Sequence, residues 1–281
     1  MRKRVYLTVV LALVAVVSAA AQATITTKKY KISDFTAKTL KVVLPGNDWL
    51  DAQLRDEVQH RWMLSPYEFC TVEEFETLRT GDQYYFLLLV SGQFRREKAP
   101  GIDFLTVLKG GAGELDKMLE VVSLPFGPDE GLTGREPVFL GPMIEIVQRR
   151  VELAMESDLK GYLGIPSTIV LGKESKQKTL LFADTDIAVC VTEVERLKYF
   201  DADMRIVPED EADEVMSDGT RPMTLVSYVV VPEHPVNGSY CYKMLFDVES
   251  RDLVYFRRHK ISSRRPAGFL VEDLKRIVAI R

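Results

Sequence analysis

The stretch FCTVEEFETLRTGDQYYFLLLV, residues 69–90, decides the fold. Its first residues complete a short strand, SPYEFC. Thr71 followed three positions later by Glu74 is a capping box, because the Thr71 side chain can accept from the Glu74 amide while Glu74 reaches back. A short acidic helix is therefore predicted over TVEEFETLR. A polar turn follows, and YYFLLLV is too uniformly apolar for a strand with one wet face. Residues 205–231, RIVPEDEADEVMSDGTRPMTLVSYVVV, run through the same order of strand, acidic short helix, polar turn and long apolar strand. Proline at the first helical position and acids in the first turn favour that second helix.

Working outward, Thr39-Leu40 and Thr179-Leu180 open two short strands, TLKVVLP and KTLLFA, at a similar distance upstream. DWLDAQLRDEVQHRWM has helical spacing, with Trp49, Leu50, Leu54, Val58, Trp62 and Met63 on one face. GIDFLTVLKG pairs with the YYFLLLV strand across the REKAP turn, and FLTVLKGGAGELDKML (104–119) reads as a strand, a glycine-rich turn and a helix. In the second half VTEVERLKYF is helix-compatible and DADMRIV is a strand. MTLVSYVVVP, SYCYKMLFDVES and DLVYFRRHKI are consecutive antiparallel strands. The expected fold is α/β (α+β): an internal duplication giving two similar β-α-β-α-β-β halves, offset by roughly 140 residues, with mixed or antiparallel sheets and helices packed on them. A connecting helix from about Pro142 to Glu156 carries Ile144, Val147, Val151 and Met155 on one stripe. The loops SLPFGPDEGLTGREP and KGYLGIPS border it, which puts a domain boundary near residue 160.

The N-terminus, MRKRVYLTVVLALVAVVSAAAQA, has basic residues, an apolar run shorter than a bilayer span and a small-residue cleavage pattern. Residues 1–23 are expected to be a signal peptide, leaving 24–160 and 161–281 as the two halves of an exported protein of the periplasm or cell surface. No integral membrane segment is expected after cleavage. Loss of Arg2, Lys3 and Arg4 takes the formal charge from −4 to −7, with 34 basic against 41 acidic residues. A mildly acidic surface favours neither nucleic acid nor anionic lipid.

Few residues are arranged for chemistry. GGAGELD (110–116) lacks the Gly-Lys-Ser/Thr of a P-loop and the third glycine of a dinucleotide fingerprint. Glu114 and Asp116 would also repel an anion there. His60, His234 and His259 form no metal-ligand spacing, so no metal or cofactor is expected. Ser-x-x-Lys occurs only where the surrounding residues read as surface, as in SKQK (175–178). The acids Glu209, Asp210, Glu211, Asp213 and Glu214 read as a solvated helical face, with cation binding or catalysis as alternatives. Cys70, Cys190 and Cys241 lie in strand-like runs and read as buried hydrophobes, with one disulfide as an alternative.

The most distinctive segment is RRHKISSRRPAGFLVEDLKRI, residues 257–277. Arg257, Arg258, His259, Lys260, Arg264 and Arg265 form a possible interaction surface for an envelope protein or glycan. Alternatively they pair internally with the acidic helix after Pro208. The reading that follows is a non-enzymatic binding or structural module, with a hydrolase of envelope glycan or peptide using carboxylates as the alternative. Long apolar strands such as YYFLLLV also need cover, which makes a homo-oligomer plausible. SPYEFCTVEEFETL, YYFLLLVSGQF and HKISSRRPAGFLVEDLKRI resemble a family of exported Bacteroidetes proteins to which no activity is assigned; the resemblance implies export and little else.

Overall fold

A computed structural model describes residues 32–92, 101–156 and 168–281. The expected signal peptide, the REKAP turn and the boundary near residue 160 lie outside the described residues. The first half contains β1 (Thr39–Val43), α1 (Asp48–Arg61), β2 (Tyr67–Cys70), α2 (Val72–Leu78), β3 (Tyr84–Ser91), β4 (Ile102–Lys109), β5 (Leu119–Pro128) and α3 (Glu136–Glu156). The second contains β6 (Thr179–Ala183), α4 (Glu193–Tyr199), β7 (Met204–Val207), α5 (Glu209–Asp218), β8 (Thr224–Val230), β9 (Tyr240–Asp247), β10 (Leu253–Lys260) and α6 (Val271–Ile280). The sheets have orders β2-β1-β3-β4-β5 and β7-β6-β8-β9-β10, so the two halves share one topology. In each, three parallel strands continue into two antiparallel ones.

The repeat is one strand longer than expected. GELDKML forms only a single 3-10 turn, Leu115–Lys117, and the chain then extends into β5. Gly and Pro made SLPFGP read as loop, but β5 is an edge strand, where a proline removes no ladder bond that the sheet needs. Its register with β4 is irregular beside Pro125 and Gly127. The connecting helix starts at Glu136 rather than Pro142, which lies inside it. At Gly141 of α3 a Cβ would fall 2.5 Å from a Glu57 carboxylate oxygen of α1, so the glycine leaves room for that side chain. Trp49 and Met63, expected on the buried face of α1, are exposed. Met63 follows the end of the helix, and Trp49 sits in its first turn. IAVC is not a strand but a turn.

The capping box at Thr71 forms as the sequence implies, and an equivalent one opens α4 at Thr192. Within each half the first crossover steps outward to the edge and the second steps back past the starting strand. With one handedness for both, the two helices must lie on opposite faces of the sheet. Accordingly Leu50, Leu54 and Val58 of α1 join the central core, whereas Phe75 of α2 packs on the outer face with Val43, Phe86 and Leu88.

The halves stack in the same sense. The central core combines α1, α3 and one face of the first sheet with α5 and the opposite-type face of the second, through Val226, Tyr228, Met244 and Phe246. The other side of the second sheet carries α4 and α6 over Leu180, Phe182, Leu225 and Tyr255. The layers therefore run α2, first sheet, helices α1, α3 and α5, second sheet, then α4 and α6. Phe139 of α3 stacks on Tyr228 at 4.2 Å and meets Phe246 at 5.1 Å. Phe104 meets Tyr242 edge-on at 5.6 Å. The Tyr228 hydroxyl donates to the Phe126 carbonyl at 2.6 Å, fastening β8 to β5.

Candidate functional site

Strand alternation divides the basic segment. Along β10, Tyr255, Arg257 and His259 oppose Leu245, Lys243 and Cys241 of β9, on the face covered by α6. Arg258 and Lys260 oppose Tyr242 and Tyr240 and point the other way. The Arg258 guanidinium lies 5.1 Å and the Lys260 ammonium 5.3 Å from the centre of the Tyr240 ring. Ser262 and Arg265 close a turn through reciprocal backbone bonds, and the Arg265 side chain reaches Glu272 at 3.3 Å. Arg264 is exposed in that turn. The expected internal pairing with the acidic helix after Pro208 is not what Arg257 and Arg265 make: they lie against Asp273 and Glu272 of α6. In α5, Asp213 bonds Arg135, while Glu211 faces Arg205 and Arg221.

Under α6 the covered residues converge on Asp273. Its carboxylate accepts from the Lys243 ammonium, the Tyr255 hydroxyl at 3.0 Å and the Leu270 amide at 3.0 Å, with the Arg257 guanidinium 3.9 Å away. The chain folds this way because Asp273 is the third residue of α6, where the unpaired first-turn amides and the helix dipole favour a carboxylate. Lys243 is 1% exposed and Asp273 3%, so each is the other's neutralising partner. Burial, and then the Asp273 charge, push the Tyr255 hydroxyl well above its ordinary pKa.

Cys241 and His259 are cross-strand neighbours, a nucleophile and base by residue type. Their electrostatics are the opposite of what a nucleophile needs. Burial pushes the Cys241 thiol up to about 12, although its sulfur accepts from the Gly268 amide at 3.3 Å. A catalytic cysteine needs the reverse shift. Burial, then the charge of Lys243, lowers the His259 pKa. The neutral ring donates from Nε2 to the Pro266 carbonyl at 2.9 Å, and Nδ1 is buried with no partner among the described residues.

Gly268 lets the loop over these side chains lie tight against the chain after β6. Its φ is +100°, and a Cβ would fall 2.6 Å from the Ala188 amide and 2.7 Å from the Asp186 carbonyl. Gly268→Ala is expected to cost about 2–4 kcal/mol, from left-handed backbone strain plus a clash with backbone that cannot yield. Urea unfolding measures it, and a variant as stable as the parent would refute the tight packing.

A second buried network spans the halves. Arg135 precedes α3 in the loop SLPFGPDEGLTGREP, which the sequence marks only as a border of the connecting helix. Its guanidinium bonds Asp213 through Nε and Nη2 at 3.0 and 2.8 Å, Asp186 through Nη1 at 3.0 Å and the Ser227 carbonyl at 3.2 Å. It also lies against the stacked pair Phe139 and Tyr228, 5.5 and 5.3 Å from their ring centres. Asp186 additionally accepts from the Ser227 hydroxyl at 2.6 Å. The neighbouring Glu136 carboxylate folds back onto the Thr133 and Gly134 amides. No motif could have found this cluster, because its members come from four elements and its only signature is burial.

At the glycine-rich turn, the Gly111 and Ala112 amides both point at the Arg79 carbonyl, at 2.9 and 3.3 Å, which occupies donors a phosphate would need. In SKQK, read as surface, Ser175 is buried and Lys178 binds Asp247 at 2.6 Å. All three cysteines are free: Cys70 is buried, with its thiol pushed up to about 11 by burial, and Cys190 is exposed. Among the described residues no group of three or more His, Cys, Asp or Glu could hold a metal ion, and no helix is long and apolar enough to cross a membrane. No family model, curated protein or solved structure matches the chain.

Proposed function

We propose that this is an exported, non-enzymatic binding module that contacts acidic groups of an envelope glycan or protein through the basic end of the second sheet. The observation that carries the reading is the platform of Arg258 and Lys260 against the Tyr240 ring, with Arg264 in the following turn. An aromatic face edged by cations suits carboxylated sugars or acidic side chains, since ring and cation each contribute. The buried ionisable groups support the same reading, because they neutralise one another. The hydrolase alternative needs two carboxyls facing each other across a substrate. Asp186 and Asp213 instead converge on one guanidinium.

Binding to an immobilised carboxylated polysaccharide tests the proposal. The parent is expected to be retained at low salt, and the double variant Arg258→Glu and Lys260→Glu, folded by circular dichroism, to lose about tenfold or more in affinity. Equal retention of parent and variant would overturn it.

A further inference from the structure

We propose that α4, with the turn before it, is the contact by which two copies of this chain dock about a two-fold axis. Val189, Val194 and Leu197 are 88%, 75% and 78% exposed, three large apolar side chains within nine residues. Val189 and Cys190 form the tip of a turn closed by the Val191 amide on the Ala188 carbonyl, at 2.9 Å. Such tips are ordinarily polar or glycine. Directly after it, Val194 and Leu197 lie three residues apart on one side of α4, while Tyr199 anchors the helix to the core. The buried neighbours Ile187, Ala188 and Val191 hold the turn in place, so the outward apolar residues are presented on a fixed base.

Charge selects the occupant. Glu193 and Glu195 begin α4, and Arg196 and Lys198 end it. Laid antiparallel against a second α4, the acids of each copy face the bases of the other, with Val194 and Leu197 between them. A parallel arrangement would set like charges together. An antiparallel self-pairing is what a two-fold axis produces, and two-fold dimers are the commonest closed assemblies. Val278 of α6, 41% exposed, and Lys275, whose charge reaches Glu195, extend the surface beside α4.

Sedimentation equilibrium of the purified protein over a wide concentration range tests this. A monomer–dimer equilibrium is expected. Leu197→Asp should weaken it at least about tenfold, as truncation of a central apolar anchor does. Arg196→Glu should also weaken dimerisation, and adding Glu193→Lys should restore it, because both residues lie on the same flank of α4 and the swapped pair is again complementary across the axis. Alkylation of exposed Cys190 should slow as the dimer fills. A monomer at every concentration would overturn the proposal, as would a dimer indifferent to Leu197→Asp or a double swap that fails to recover association. The Arg258 and Lys260 variant should dimerise normally, so failure of glycan binding and failure of this contact are separable results.

Discussion

Replacing Arg135 by alanine is expected to destabilise the protein by about 3–5 kcal/mol, the range for removing one partner of a buried ion cluster. The guanidinium is 5% exposed and satisfies Asp186, itself 2% exposed, together with Asp213. Alanine leaves two carboxylates without their counter-charge and removes the cation that lies against the Phe139 and Tyr228 rings. Arg135→Lys should recover only part of the loss, since an ammonium cannot bond Asp213 through two nitrogens, reach Asp186 and lie against two rings at once. The loss should also depend on pH with a definite sign. Burial already pushes the Asp186 carboxyl above its ordinary pKa, and Arg135 is the main influence drawing it down. Without Arg135 the folded-state value rises further, so the folded protein holds a proton that the unfolded chain releases. Stability then falls as pH rises above the unfolded value of about 4. The deficit should accordingly be smaller at pH 5 than at pH 8. Urea unfolding at both values measures it, and a deficit under about 1 kcal/mol would mean that the cluster behaves like a surface ion pair.

Asp273→Ala is the second large effect, with an expected cost of about 3–5 kcal/mol. It should exceed the cost of Lys243→Met, and the asymmetry follows from the hydrogen bonds. Removing Asp273 strands a buried ammonium, the Tyr255 hydroxyl and the first-turn amide at Leu270 together. Removing Lys243 leaves Asp273 with the hydroxyl, the amide and Arg257 nearby. The methionine also refills the volume of the lysine stem. The double variant Asp273→Leu with Lys243→Met should be more stable than Asp273→Ala, because no charge is left unpaired. Thermal and urea unfolding of the three proteins give the order. Equal costs for the two single variants would show that the carboxylate is not the hub of this site.

The repeat was legible because its signals are local. A capping box, a proline before an acidic turn and two runs of apolar strand residues need no knowledge of the rest of the chain. What escaped depended on position in the sheet. β5 looked like loop because Pro125, Gly127 and Pro128 are poor strand residues, and only its place at an edge makes them acceptable. The direction in which the halves stack could not be read from periodicity, since β3 and β8 are apolar on both faces. The basic run was visible as charge, yet its division depended on register, which sends Arg257 and His259 one way and Arg258 and Lys260 the other. Lys243 and Arg135 gave no sign of burial, because a charged letter in a strand or loop reads as solvated until its partners are known. Those partners, Asp273 at a separation of 30 residues and Asp213 at 78, come together only when the helices close on the sheets.

The same-sense stacking of the halves has a consequence for how the chain matures. α3 belongs by sequence to the first half, yet Phe139 is what lies on Tyr228 and Phe246 of the second. The ribosome therefore finishes the lid before it begins the sheet that needs it, and each new strand of that sheet emerges next to a surface already waiting. A chain started at residue 168 would lack that shelter, and its aromatic face would be left for chaperones or for neighbouring chains to cover.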